Sequence, residues 1–316
     1  MTDHDCIAVA LADDGAREGH DTYLLIDSAQ CPDAHHRLDG WRIPYGSLFE
    51  GTSEACFVDI APLLVPLPPR CDDRRAWLLA WSSDQAMAAP CISWMTSSHH
   101  LQDLMAHFRR YHVVGLSEGQ FMLMRWYDTR ILPIWLACLS TAQAAGFVEP
   151  IADWRFVDRC GAVVTLSMAD SVTERAVAPT DHVPGQPVIT LDDQQYAMLL
   201  DASALDALLS HLKRVLPDEF RRTPKRAMTS FVSSHLQRAM DAGLHDVDRQ
   251  SQYVLLALYT SGRGVEHAAC VAYMRSPAED LDTFHRDLQA MPDEVWQAGE
   301  PLWDNLLGLE HLPCPL

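Results

Sequence analysis

Between Asp170 and Pro187 the chain reads DSVTERAVAPTDHVPGQP, with three prolines, one glycine and neither helical nor strand periodicity. Proline lacks a backbone donor and restricts the residue before it, so no regular element runs through this stretch. The patterning on its two sides differs. Before it, short β-branched or aromatic runs alternate with helical patterns; after it the pattern is wholly helical. This division predicts an α+β protein: an N-terminal mixed α/β lobe with a central sheet over residues 1–170, a linker over 171–187 and an all-helical C-terminal lobe over 188–316. The length of 316 residues accommodates two domains of roughly 100–200 residues each.

In the first lobe the candidate strands are Cys6–Leu11, Tyr23–Asp27, Ala76–Trp81, Cys91–Met95, Phe121–Trp126 and Ala162–Ser167. A helix is expected after a cap at Ser98, because Leu101, Leu104, Met105 and Phe108 repeat at one helical face. In the second lobe Asp192 and Gln195 form a capping-box variant ahead of an apolar stripe from Tyr196 to Leu212. Further helices are expected from Pro224 to a C-terminal cap at Gly243, from Asp248 to Gly262, and from a start at Ser276-Pro277-Ala278-Glu279. No repeat of fixed period is present.

Composition narrows the function classes. With 43 acidic and 24 basic side chains the formal net charge is −19, which phosphate backbones and anionic membrane surfaces repel. The nine cysteines are odd in number and never closer than fifteen positions, so no CxxC pair exists. The N-terminus carries acids where a signal peptide needs a basic start, and the most apolar stretch, Ile131 to Val148, is interrupted by Pro133, Ser140, Thr141, Gln143 and Gly146. A reduced, cytoplasmic chain is the expectation.

The strings GxxxxGK[ST] and HExxH are absent, and GxSxG occurs once, as Gly115-Leu116-Ser117-Glu118-Gly119. Gly262-Arg263-Gly264 follows a helical pattern and reads as a helix C-cap. The fifteen histidines include the pairs His35-His36 and His99-His100, but adjacent residues point to different sides of an element, and no metal or cofactor is expected.

Two charged strings stand out. Lys213, Arg214, Arg221, Arg222, Lys225 and Arg226 place six of 24 basic residues in one short stretch. Arg221, Arg222, Lys225 and Arg226 are a candidate docking patch for an acidic partner surface, with a solvated face balanced by Asp218 and Glu219 as the other reading. The second string, FMLMRWYDTR from Phe121 to Arg130, ends a strand pattern in aromatic and charged groups. Half-buried, Arg125, Asp128 and Arg130 need one another, since an unpaired buried charge costs several kcal/mol. Asp128 is also a candidate N-cap for the segment that follows.

The order of several strings resembles the adaptor chaperones of the type VI secretion system. The matching elements are Tyr23-Leu24-Leu25-Ile26-Asp27, Tyr45 to Thr52 (YGSLFEGT), Asp59 to Val65 (DIAPLLV), Ser93 to Arg110, Arg125 to Leu132 (RWYDTRIL) and Pro150-Ile151-Ala152-Asp153-Trp154. The chain departs from the family pattern at Thr129, where a proline is usual, and has Pro133 four positions later. A helix beginning at Thr129 would lose a bond at Pro133, so a late start or a kink is expected.

The resemblance implies a non-catalytic, two-lobed clamp that binds the N-terminal region of a secreted effector protein and loads it onto the valine-glycine repeat spike protein or its tip, with neither nucleic acid nor membrane as partner. Arg125, Tyr127, Asp128 and Arg130 then form the centre of the first lobe, organising a binding surface, with Trp154 as their packing partner. Nine tryptophans and twelve methionines offer adaptable contact area, although most belong in the core. Two other readings are an immunity-like or regulatory module that sequesters a toxin, and an enzyme without a recognisable signature using His112, Glu118 and Asp128.

Overall fold

The computed structural model describes residues 19–167, 187–278 and 280–305. The chain divides into two compact units, Met1–Leu199 and Leu200–Leu316. The candidate strand Cys6–Leu11 lies outside the described residues, as does the linker stretch except for Pro187.

The first unit is built on β1 (Asp21–Asp27), α1 (Ala34–Trp41), β2 (Gly46–Ser47), β3 (Pro62–Pro66), α2 (Asp73–Ala88) and β4 (Ile92–Ser97). It continues through α3 (Leu101–Phe108), β5 (Val113–Leu116), β6 (Phe121–Leu123), α4 (Leu132–Cys138), α5 (Thr141–Val148), β7 (Asp153–Val157), β8 (Val163–Ser167) and β9 (Thr190–Leu191). Six strands form one antiparallel sheet in the order β2-β3-β1-β4-β7-β8, and a smaller sheet runs β6-β5-β9.

Alternation along β1 explains why its run Tyr-Leu-Leu-Ile has no polar face. Tyr23 and Leu25 enter a core lined by Leu104, Phe108, Trp126, Trp135, Phe147 and Trp154. Leu24 and Ile26 enter the opposite core, under Leu38 of α1 and Leu78 of α2. Helices therefore cover both faces of an antiparallel sheet, and its central strands read as continuous apolar runs. At Gly46 the approach of α3 is so close that an added Cβ would collide with the Met105 sulfur.

Ala76–Trp81 is helical, as part of α2, and not a strand. Its apolar run is short enough to fit either period. The deciding features are the Asp72 side chain, which accepts the Arg74 N–H at 2.9 Å, and the buried series Leu78, Ser82 and Ala86 one turn apart. Similarly, α3 starts after His100 with no side-chain cap, while the Ser97 hydroxyl accepts the His99 N–H just upstream of the expected cap at Ser98. The Ile131–Val148 stretch contains two helices, separated where Ser140 and Gln143 form a capping box.

In the second unit the helices are α6 (Asp193–Val215, which begins in the first unit), α7 (Pro217–Arg222), α8 (Lys225–Asp241), α9 (Val247–Tyr259), α10 (Arg263–Glu266), α11 (Ala268–Met274), α12 (Leu281–Gln289) and α13 (Asp293–Trp296). The structure is thus α+β in class, with a mostly helical C-terminal region. Asp192 and Gln195 exchange the two bonds of a capping box, at 2.8 and 3.0 Å. Gly262 sits at φ 83 after α9 and donates to the Ala257 carbonyl, as a helix C-cap does. The last long helix starts later than expected: Asp280, not Ser276, caps α12 by accepting the Thr283 N–H at 2.8 Å. Leu205, Leu208, Leu212, Phe231, Val232, Val254 and Phe284 share one core.

Among the described residues no helix is long and apolar enough to cross a membrane. Cys31, Cys56, Cys71, Cys91, Cys138 and Cys270 are free, while Cys160 is disulfide-bonded, which departs from the fully reduced chain expected.

Candidate functional site

β1 ends in a carboxylate that the sheet buries. Asp27 is fully buried, and its backbone N–H donates to the Cys91 carbonyl at 2.8 Å. One side-chain oxygen accepts the Ala29 N–H at 3.0 Å, and the other accepts Arg125 Nη2 at 2.5 Å. Asp128, also fully buried, takes the Arg130 guanidinium on both oxygens, Nε at 3.0 Å and Nη2 at 2.7 Å, together with the Arg130 N–H at 3.0 Å. Arg125 Nη2 reaches Asp128 at 3.6 Å. Two acids and two bases thus form one compensated array at the edge of the sheet core. Bidentate Arg–carboxylate pairing adds directional specificity to charge balance.

Burial pushes the Asp27 carboxyl up, against the pull of Arg125. The Arg125 guanidinium is raised, since Asp27 and Asp128 outweigh the opposing effect of its burial. Tyr127, 2% exposed, keeps its phenolic proton well above the usual range because of burial and the nearby Asp27 charge. The Ser28 and Thr129 hydroxyls, each next in sequence to one of the aspartates, are buried without a hydrogen-bond partner among the described residues.

The chain after Asp128 resolves the expected conflict at Pro133. Asp128 offers its carbonyl to the Ile131 and Leu132 N–H groups, both at 2.9 Å, and its side chain to Arg130, so it terminates a turn ahead of the helix. Helix α4 starts only at Leu132, with Pro133 in its first turn, where the missing N–H costs nothing.

The expected residues fall in two places within the first unit. Arg125, Asp128 and Arg130 form the array just described, Tyr127 adjoins it, and Asp27 is the member that sequence reasoning missed. Its signal was a charge closing an otherwise apolar strand, YLLID. Trp154 lies in the aromatic core, its ring 6.1 Å from Trp126 and 5.9 Å from Phe108 and Phe147, with its Nε1 donating to Ser93 Oγ at 2.9 Å. In the second unit Arg221 pairs with Asp218, Arg222 pairs with Asp304 at 3.2 Å, and Lys225 and Arg226 also engage neighbouring groups.

The loop between β2 and β3 holds a feature the sequence did not reveal. Arg109 donates to the Ser47 carbonyl and to Glu50, each at 3.0 Å, and His112 meets Glu54 at 3.1 Å. Burial pushes Glu54 up, but hydrogen bonds from Ser53, Thr52 and His112 outweigh it and draw the carboxyl down to about 2. So clasped, the loop presents Phe57, Val58 and Ile60 to solvent, 54%, 56% and 44% exposed. An exposed apolar run on an anchored loop has the character of a protein-binding surface. His112 and Asp128 are thus committed to different partners, and Glu118 is exposed in the turn between β5 and β6. Among the described residues no three His, Cys, Asp or Glu side chains gather as a metal site.

Residues 22–146 match the family described as Domain of unknown function (DUF4123). That family is associated with type VI secretion effectors. The matched segment runs from β1 into α5 and contains the whole ionic array. No curated protein and no solved structure matches the chain.

Proposed function

We propose that this chain is a non-catalytic adaptor chaperone of a type VI secretion system, working in the cytoplasm. It holds the N-terminal region of a secreted effector and presents it to the valine-glycine repeat spike protein or its tip. The observation that carries the reading is the match over residues 22–146 to an effector-associated family. The chemistry of the site supports it. In the array each acid is answered by a base, so its role is to fix the turn between β6 and α4. The apolar loop at Phe57, Val58 and Ile60 supplies contact area of the kind protein partners cover.

The test is an affinity pull-down of the tagged chain from its native cytoplasm, with co-eluting proteins identified by mass spectrometry. A large multidomain toxin together with a spike component is the expected result. Recovery of the chain alone, or with metabolic enzymes only, contradicts the reading.

A further inference from the structure

Two thiols flank Asp27 on the side of the sheet covered by α1 and α2. The Asp27 N–H donates to the Cys91 carbonyl at 2.8 Å, and the Cys31 N–H donates to the Asp27 carbonyl at 2.9 Å. The turn after β1 therefore folds Cys31 back beside the residue that leads into β4. Both side chains are buried in the same apolar core. Both sulfurs also meet one residue of α2, Cys31 Sγ at 3.7 Å from Gln85 Oε1 and Cys91 Sγ at 3.7 Å from the Gln85 carbonyl. Both thiols are free.

We propose that Cys31 and Cys91 are a redox-active dithiol, a modification site at which a small-molecule disulfide such as oxidised glutathione writes an intramolecular bond. This inference is independent of the adaptor reading. The two thiols differ in the way such chemistry needs. The neighbouring Cys91 draws the Cys31 thiol down despite its burial, with the Arg37 cation assisting, whereas Cys91 is pushed up. Arg37 is itself held over the Trp41 and Trp81 rings, 5.4 and 5.8 Å from their centroids. Cys31 is therefore the attacking thiolate.

Access comes from the turn that carries Cys31. Pro32 and Asp33 are exposed, Asp33 sits at φ 63, a left-handed conformation that costs a non-glycine residue energy, and α1 has no side-chain cap. Such a segment opens at lower cost than the strands beside it. In the first step Cys31 loses its proton and attacks the glutathione disulfide, forming a mixed disulfide and releasing one glutathione thiolate. In the second, Cys91 loses its proton and attacks the Cys31 sulfur, which expels the second glutathione thiolate. Two electrons and two protons pass from the protein to two glutathione molecules, and one protein S–S bond is formed.

The experiment incubates the native full chain in oxidised glutathione until exposed Cys56 and Cys71 carry glutathione, blocks remaining thiols and maps the peptides by mass spectrometry. The expected product is a linked peptide joining Cys31 to Cys91, two hydrogens lighter than the sum of its parts and separated by dithiothreitol. The thermal midpoint is expected to rise in the linked protein, because the bond restricts the unfolded chain. The proposal is overturned by both thiols still free when Cys56 and Cys71 are modified, by glutathione retained on Cys31 or Cys91, or by either cysteine linked elsewhere. The same linkage appearing only in urea also overturns it, since the native contact is then not its cause.

Discussion

Asp27 and Arg125 show how unequal the two halves of an ion pair are. Asp27 is fully buried, while the Arg125 side chain is 35% exposed. Arg125→Ala strands the carboxylate with one backbone donor and is expected to cost about 3 kcal/mol. Asp27→Asn removes the buried charge, keeps an acceptor for Arg125 and is expected to cost about 1 kcal/mol. Urea unfolding followed by tryptophan fluorescence checks both, and equal losses contradict the assignment of burial to the acid. Asp27 and Glu54 also titrate in opposite senses. The folded chain holds the Asp27 proton above the usual carboxylate range, so it binds more protons than the unfolded chain there, and this contribution falls as pH rises through the folded value. Glu54, drawn down to about 2 from 4.5, stabilises fully above its unfolded value and loses that stability as pH falls toward 2. Unfolding free energies measured from pH 5 to pH 2 are expected to decline less steeply in Glu54→Gln than in the unaltered chain. Parallel declines contradict a role for Glu54 in clasping the loop.

At the scale of elements, side-chain caps mark the starts of α2, α5, α9 and α12, and nearby alternatives separate the sequence from the structure. Asp280→Ala is expected to lower the unfolding midpoint and Ser276→Ala to leave it unchanged, because only Asp280 accepts an N–H of the first turn of α12. The reverse order in a urea titration would place the cap at Ser276 after all. The Asp192–Gln195 box and the Gly262 cap were legible because each is a local device written in adjacent residues. Tyr23–Asp27 was legible as a strand because its apolar run is short and ends in a charge. Ala76–Trp81 was misread because an apolar run of that length suits either period until the cap at Asp72 and the small residues Ser82 and Ala86 are weighed. Of the array, the pairing within RWYDTR was legible from proximity in sequence. Its partner Asp27 and the clasps of Arg109 and His112 on the β2–β3 loop were not, because they join residues far apart in the chain.

At the scale of the whole molecule, a net charge of −19 sets the sign of the long-range field around the chain. Long-range repulsion disfavours polyanions and speeds encounter with basic surfaces, an effect that weakens as salt shortens the screening length to about 8 Å at physiological ionic strength. Charge alone does not separate an adaptor from a module that sequesters a toxin, since both bind protein. What separates them is which part of the effector is held. The most direct measurement is calorimetric titration of the purified chain with a recovered effector, its isolated N-terminal region and its isolated toxin domain. The adaptor account expects the full effector and the N-terminal region to bind with the same affinity and in a fixed stoichiometry, with the toxin domain inert and still toxic. Binding confined to the toxin domain, with its activity lost, contradicts the account and establishes the sequestering reading in its place.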